Sequence, residues 1–204
     1  MASTGKVGSY GLKEVADVRF YSIATDAQSI STASFYTDAN SNEYYGYASA
    51  STPDFLFDSL KVSNIEVSSE EVSARGGKGN PELISWSYGK EVTLTIEDAL
   101  FNLETLDLIF GAKEDSVTSS ITIDANTFPG LYTICGSTVM RSYTSGKDEP
   151  FGFIIPKGKI NVGGTLTMEA EGDPSTFEMT IKAMSATLGD DKDVLIKFEK
   201  KSST

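Results

Sequence analysis

The chain has 204 residues, of which 39% are hydrophobic and 23% charged, enough apolar side chain for one large core and too much for general disorder. Its 29 Asp and Glu outnumber its 17 Lys and Arg, and the resulting charge of −12 disfavours clamping of nucleic-acid phosphates or anionic membranes. With no histidine and one cysteine, Cys135, the sequence excludes Ser-His-Asp and Cys-His catalysis, His-ligated zinc and intramolecular disulfides.

Residues 1–11 read as a frayed end, and Met1 to Lys6 lack the apolar core of a signal peptide. No run reaches the roughly 20 apolar residues needed to span a bilayer, so the chain is expected to be soluble and to remain where it is made. A weak alternating pattern over 15–24 predicts a first strand. Residues 25–52 are rich in Ser, Ala, Thr and Tyr and read as a loop with a short strand over 43–49, whose Tyr44, Tyr45 and Tyr47 cap the core or meet a partner.

A long hairpin follows: a strand over 60–74, a Gly-rich loop over 75–83 and a returning strand over 84–97, in which Val92, Leu94 and Ile96 alternate with polar residues. Asp98 to Phe110 has helical spacing, with Asp98 placed to cap the first amides and Gly111 to close the last turn. Leu103, Leu106 and Phe110 fall on one side of this helix and Phe101 and Leu108 roughly opposite. One sheet covers one stripe. The other needs either a second layer of the same chain or a neighbouring subunit. Further strands are expected at 116–125, 131–143, 151–160, 165–169, 177–183 and 193–199, joined by turns and pairing antiparallel, before a frayed end at 200–204.

Motifs with chemistry are few. In Arg75-Gly76-Gly77-Lys78-Gly79-Asn80-Pro81, Lys78 is followed by neither Ser nor Thr and no helix succeeds it, so this is not a phosphate loop. It reads as a mobile loop, or one that orders against another subunit. The acidic runs Glu70-Glu71, Glu114-Asp115 and Asp190-Asp191-Lys192-Asp193 lack calcium-loop spacing, and no metal or cofactor is expected. Paired antiparallel, 64–70 and 91–97 can place Glu66, Glu70, Glu91 and Glu97 on one sheet face. That face is either plainly solvated or an acidic channel wall past which a polyanion slides. Cys135 and Trp86 read as core or anchor residues.

The run Phe57-Asp58-Ser59-Leu60-Lys61-Val62-Ser63-Asn64-Ile65-Glu66-Val67, the loop Ala74 to Asn80 and Glu97-Asp98-Ala99-Leu100-Phe101 together resemble, over residues 54–187, the major tail tube proteins of tailed bacteriophages. The resemblance implies a mainly β fold over 1–204, an antiparallel β-sandwich or barrel with one packed helix (98–110) and the Gly-rich loop (75–83). It also implies hexameric rings that stack into a virion tail tube beside other tail proteins, made in the host cytoplasm, with DNA passing through without specific binding. No enzymatic activity is then expected. By the same resemblance Arg75, Gly76, Gly77, Lys78, Gly79 and Asn80 form the inter-subunit loop, Phe101 and Leu108 an inter-subunit helix face, and Glu66, Glu70, Glu91 and Glu97 the lumen. Residues 25–52 match no element of that pattern. Two other readings stand beside it: a carbohydrate-binding or adhesin-like module stacking sugars on Tyr44, Tyr45, Tyr47 and Trp86, and an enzyme working through carboxylates alone.

Overall fold

A computed structural model describes residues 10–12, 17–38, 41–48, 51–98, 103–111, 113–115, 120–161 and 177–201. Its elements begin with β1 (Tyr10–Leu12), β2 (Asp17–Ile23), β3 (Ser29–Ile30), β4 (Ser34–Thr37), β5 (Glu43–Gly46) and β6 (Phe55–Phe57). The long strands β7 (Leu60–Arg75) and β8 (Glu82–Asp98) precede α1 (Leu103–Phe110), then β9 (Lys113–Asp115) and β10 (Ser120–Thr122). The chain continues with β11 (Leu131–Ser142), β12 (Asp148–Ile160), β13 (Phe177–Met184), β14 (Ala186–Leu188), β15 (Asp191–Val194) and β16 (Lys197–Lys200). The protein is mainly β, with antiparallel sheets and one short helix, consistent with a sandwich or barrel. The strand expected at 165–169 lies outside the described residues. Tyr10 and Gly11 of the N-terminal segment expected to fray pair with β11 in β1, and β16, overlapping the strand expected over 193–199, reaches Lys200 and pairs with β12.

The main sheet runs β6-β2-β11-β12-β13-β8-β7, with β1 and β16 added beside β11 and β12. In a flat sheet β6 and β13, four places apart, would stand about 19 Å from one another. Phe57 of β6 and Phe177 of β13 instead bring their rings within 6.2 Å. The sheet is therefore strongly curled, and its concave face closes over Val18, Phe20, Leu94, Ile96, Ile134, Ile155, Met179 and Ile181.

The central strands are buried on both sides. Phe20, Ile134 and Ile155 face the concave core, while their neighbours Tyr21, Cys135 and Ile154 face a second cluster with Tyr45, Ile30 and Leu188. Much of that second layer comes from residues 25–52. They are no open loop: β3 pairs parallel with β14, β4 with β5, and Tyr45 is fully buried with its hydroxyl donating to Glu199 Oε2 at 3.1 Å. Lys157 Nζ donates to the carbonyls of Thr25 (3.4 Å) and Ala27 (3.1 Å), pinning the segment where it leaves β2. Cys135 is a free thiol within this layer, and burial pushes its ionisation upward, so it is a packing residue.

The described part of the expected helix is α1, Leu103–Phe110; residues 99–102 lie outside the described residues. Asp98 ends β8, opposite both Leu60 and Phe177, and its Oδ1 accepts from Ser59 Oγ at 2.9 Å; the residues it was expected to cap lie outside the described ones. Gly111 does close the helix, with φ +61° and its N–H donating to Asp107 O at 2.7 Å. Leu108 and Ile109 enter the concave core and Thr105 is buried beside them. Leu108 is 0% exposed, so it has no surface to offer a neighbour, and its assignment to a subunit interface is corrected here. Phe101 lies outside the described residues.

Close packing on the second face makes one glycine irreplaceable: a methyl group on Gly152 would stand 2.3 Å from Cγ of Tyr45. Gly152→Ala is expected to cost about 1–3 kcal/mol through overpacking, and Leu108→Ala about 2–5 kcal/mol through a cavity. Thermal unfolding of the monomer should show both as a lowered Tm; an unchanged Tm for either contradicts this packing.

Candidate interface: the β7–β8 arm

Strands β7 and β8 hold 16 and 17 residues, about 50 Å of extended chain, far longer than the core beneath them. Their first half belongs to the body. Val92, Leu94 and Ile96 are buried, and their partners Val67, Ile65 and Ser63 share that face. From Glu66 to Glu91, by contrast, every residue is exposed apart from half-buried Ser73 and Gly76. This distal half is an arm standing clear of its own chain.

The loop expected over 75–83 is the tip of that arm. Arg75 is the last residue of β7 and Glu82 the first of β8, paired across the hairpin with Arg75 Nη2 3.7 Å from Glu82 Oε2. The reversal is tight. Asn80 N donates to Gly77 O and Gly76 N to Pro81 O, each at 3.1 Å, with Gly77, Gly79 and Asn80 at positive φ. Lys78 sits exposed at its end.

A bulge divides the arm. Ser68 pairs with Glu91 and Glu70 with Tyr88, so one residue of β7, Ser69, faces two of β8, Gly89 and Lys90. Gly89 takes φ +62°, which suits glycine alone at little cost. The extra residue shifts β8 by one place. Beyond it Val72 lies opposite Trp86 and Ala74 opposite Ile84, with Glu70 and Tyr88 in the same row. These residues continue the face that carries Asn64, Glu66 and Ser68 nearer the body, the face turned away from the core. Glu71, Ser73, Ser85 and Ser87 occupy the other distal face, where Ser85 Oγ donates to Glu71. The apolar side of the hairpin thus changes faces at Gly89.

Trp86 is 54% exposed, and Val72, Ile84 and Tyr88 are similarly open. Burying each fully is worth about 1.5–3 kcal/mol, so this row is an incomplete core. The signal was present in the sequence as a change of parity: the apolar residues of β7 are odd at Ile65 and Val67, then even at Val72 and Ala74.

The four carboxylates expected on one face lie on the outer face of the ribbon, Glu70 farthest from the body. Glu66, Glu91 and Glu97 do share the outer face of the sheet near the body, where Glu66 opposes Thr93 and Glu91 opposes Ser68. Glu70 lies on the same face of β7, farther from the body. It lies beyond the bulge against Tyr88, whose ionisation is pushed up by its hydrogen bond to the Glu70 carboxylate. Strand β13 brings a carboxylate that the linear reading did not include, Glu178 opposite Glu97, together with Lys182, whose Nζ is 2.5 Å from Glu91 Oε1. Lys159 of β12 opposes Lys182. Four carboxylates and two ammonium groups therefore share this face near the body.

The aromatic residues of the saccharide reading are not a platform. Tyr44 and Tyr45 are 7% and 1% exposed, the Tyr44 ring lies under the Arg19 guanidinium at 4.2 Å, and the Tyr47 hydroxyl donates to Ser31 O at 2.9 Å. Trp86 stands apart on the arm. Among the described residues no group of three or more His, Cys, Asp or Glu is arranged to hold a metal ion.

The family model of the YomU/Tube protein family matches residues 48–113 and 111–196, which together cover most of the chain and include the whole arm. The chain belongs to this family. Membership bears out the resemblance to phage tail tube proteins and makes the chain a phage tube-like structural protein. The match begins at residue 48, so the segment that builds much of the second layer, β3 to β5, lies before it. No curated protein matches the chain.

The bulge generates a prediction. Gly89→Val places a β-branched residue at positive φ, at a cost of about 1–2 kcal/mol, and should loosen pairing beyond it. Hydrogen exchange of amides 70–75 and 82–88 should accelerate while those of β11 and β12 stay protected; unchanged exchange in the arm contradicts the role given to Gly89.

Proposed function

We propose that this chain is the non-enzymatic subunit of a phage tail tube, closing into hexameric rings that stack around a channel for DNA. The observation that carries the reading is the arm: a two-stranded ribbon with a row of large apolar side chains that its own chain leaves bare, in a protein of a tube family. Such a patch binding a different surface of a second copy is a heterologous contact, which closes a ring or continues a stack. Other tail proteins meet the ends of the stack.

The outer face of β7, β8 and β13 near the body is the proposed lumen wall. Glu66, Glu91, Glu97 and Glu178 outweigh Lys159 and Lys182 there, and a net charge of −12 over the chain supports a channel that does not retain DNA. Arg75 to Asn80 at the arm tip form the inter-subunit contact. Phe101 remains part of the proposal as a contact residue; Leu108 does not.

At rising concentration the purified chain should show rings or tubes by negative-stain microscopy, and a protein that stays monomeric throughout defeats the reading. Trp86 is the single tryptophan and reports on the arm directly. Its emission should shift to the blue as assembly proceeds. A Glu66→Lys, Glu178→Lys variant should still form tubes but sediment with DNA at low salt and release it at high salt; wild-type tubes that hold DNA equally well contradict the lumen assignment.

A further inference from the structure

Resting on the tube reading, we propose that the distal arm of one copy docks on the loop Ile123–Gly130 of a second copy, with Trp86 against Phe128 and Lys78 against the acidic surface around it. The arm presents an apolar row with a cationic tip, so its acceptor needs exposed apolar side chains within an acidic surround. Outside the arm, the large exposed apolar side chains of the described residues include two groups.

One group is on this loop. Ile123 is 58% and Phe128 69% exposed, yet the loop is firmly built. Asp124 Oδ1 accepts from the N–H of Asn126 and of Thr127, each at 2.8 Å, and Asp124 Oδ2 from Thr127 Oγ1 at 2.7 Å. Gly111, at the end of α1, lies so close to Phe128 that a Cβ there would come within 2.4 Å of its carbonyl carbon. A fixed loop holding two large apolar side chains in water is suited to receive a partner at small entropic cost. By sequence, residues 103–128 carry Glu104, Asp107, Glu114, Asp115 and Asp124 against Lys113 alone.

The other group is Tyr10, Leu12, Tyr143 and Phe198 at the far end of β11 and β12. Its charges are balanced: Arg141 pairs with Asp148 there, and Lys200, 4.6 Å over the Tyr10 ring, pairs with Glu149. Lys78 at the arm tip finds no net charge to meet at the second group and an acidic stretch of sequence at the first. Charge complementarity selects the loop.

Separate preparations of Trp86→Cys and Phe128→Cys, mixed, assembled and mildly oxidised, test the contact, because Cys135 is buried and does not compete. A disulfide-linked dimer on a non-reducing gel, formed by the mixture and by neither variant alone, is the expected result. Tubes without that dimer overturn the inference while leaving the tube reading intact, as does a dimer formed instead with Phe198→Cys. A wild-type chain that never assembles defeats both. As an independent arm, Lys78→Glu should raise several-fold the concentration needed for assembly and leave the monomer's Tm unchanged; unaltered assembly opposes the proposal.

Discussion

A two-stranded ribbon can bury one face against its own body only as far as that body reaches. In this protein β7 and β8 pair beyond that limit, and the rest of the organisation follows from it. Near the body Val92, Leu94 and Ile96 complete the concave core. Farther out no described residue lies beneath the ribbon, yet it carries the large apolar side chains of Val72, Ile84, Trp86 and Tyr88. The bulge at Gly89 turns that second apolar row to the opposite side, so the two halves of one hairpin are built to be covered from opposite directions.

The arm needs a stiff base to place its distal row, and the body provides one. Strands β2, β11 and β12 are buried on both faces, by the curled sheet with α1 on one side and by the aromatic layer of β3 to β5 with β14 on the other. Glycines let the layers approach closely, as where Gly152 meets the Tyr45 ring. Such an interior deforms little. The residues before the family match thus provide support: Ile30, Ala33 and Tyr45 fill the layer that keeps the central strands out of water.

Charge has two roles in this arrangement. Spread over the outer face of β7, β8 and β13, an acidic excess opposes adhesion of a polyanion. By sequence the stretch 103–128 is also acidic, and it is the counterpart proposed for Lys78 at the arm tip. The ion pairs themselves are exposed and each is worth little to folding, so their influence is on which surfaces meet.

Much of this was legible in the sequence. Strict alternation at 91–97 and 177–183 marked strands with one buried face, because a period of two survives in any register. Missing histidine and a lone cysteine limited the chemistry by composition alone, and the order of hairpin, helix and strands carried the family resemblance. What the linear pattern did not decide was pairing across distance. Glu178 joins Glu97 only because β13 lies beside β8, and Glu70 meets Tyr88 only because one extra residue at Gly89 shifts the register. Leu108 looked like a second stripe, but the curled sheet with α1 against it buries it completely. The Tyr-rich segment read as loop because its strands are two to four residues long and stabilised by burial against distant chain. Alternation and composition are local and belong to the sequence; register, layer order and the side from which each face is covered depend on contacts between segments far apart in the chain, and only the tertiary structure decided them.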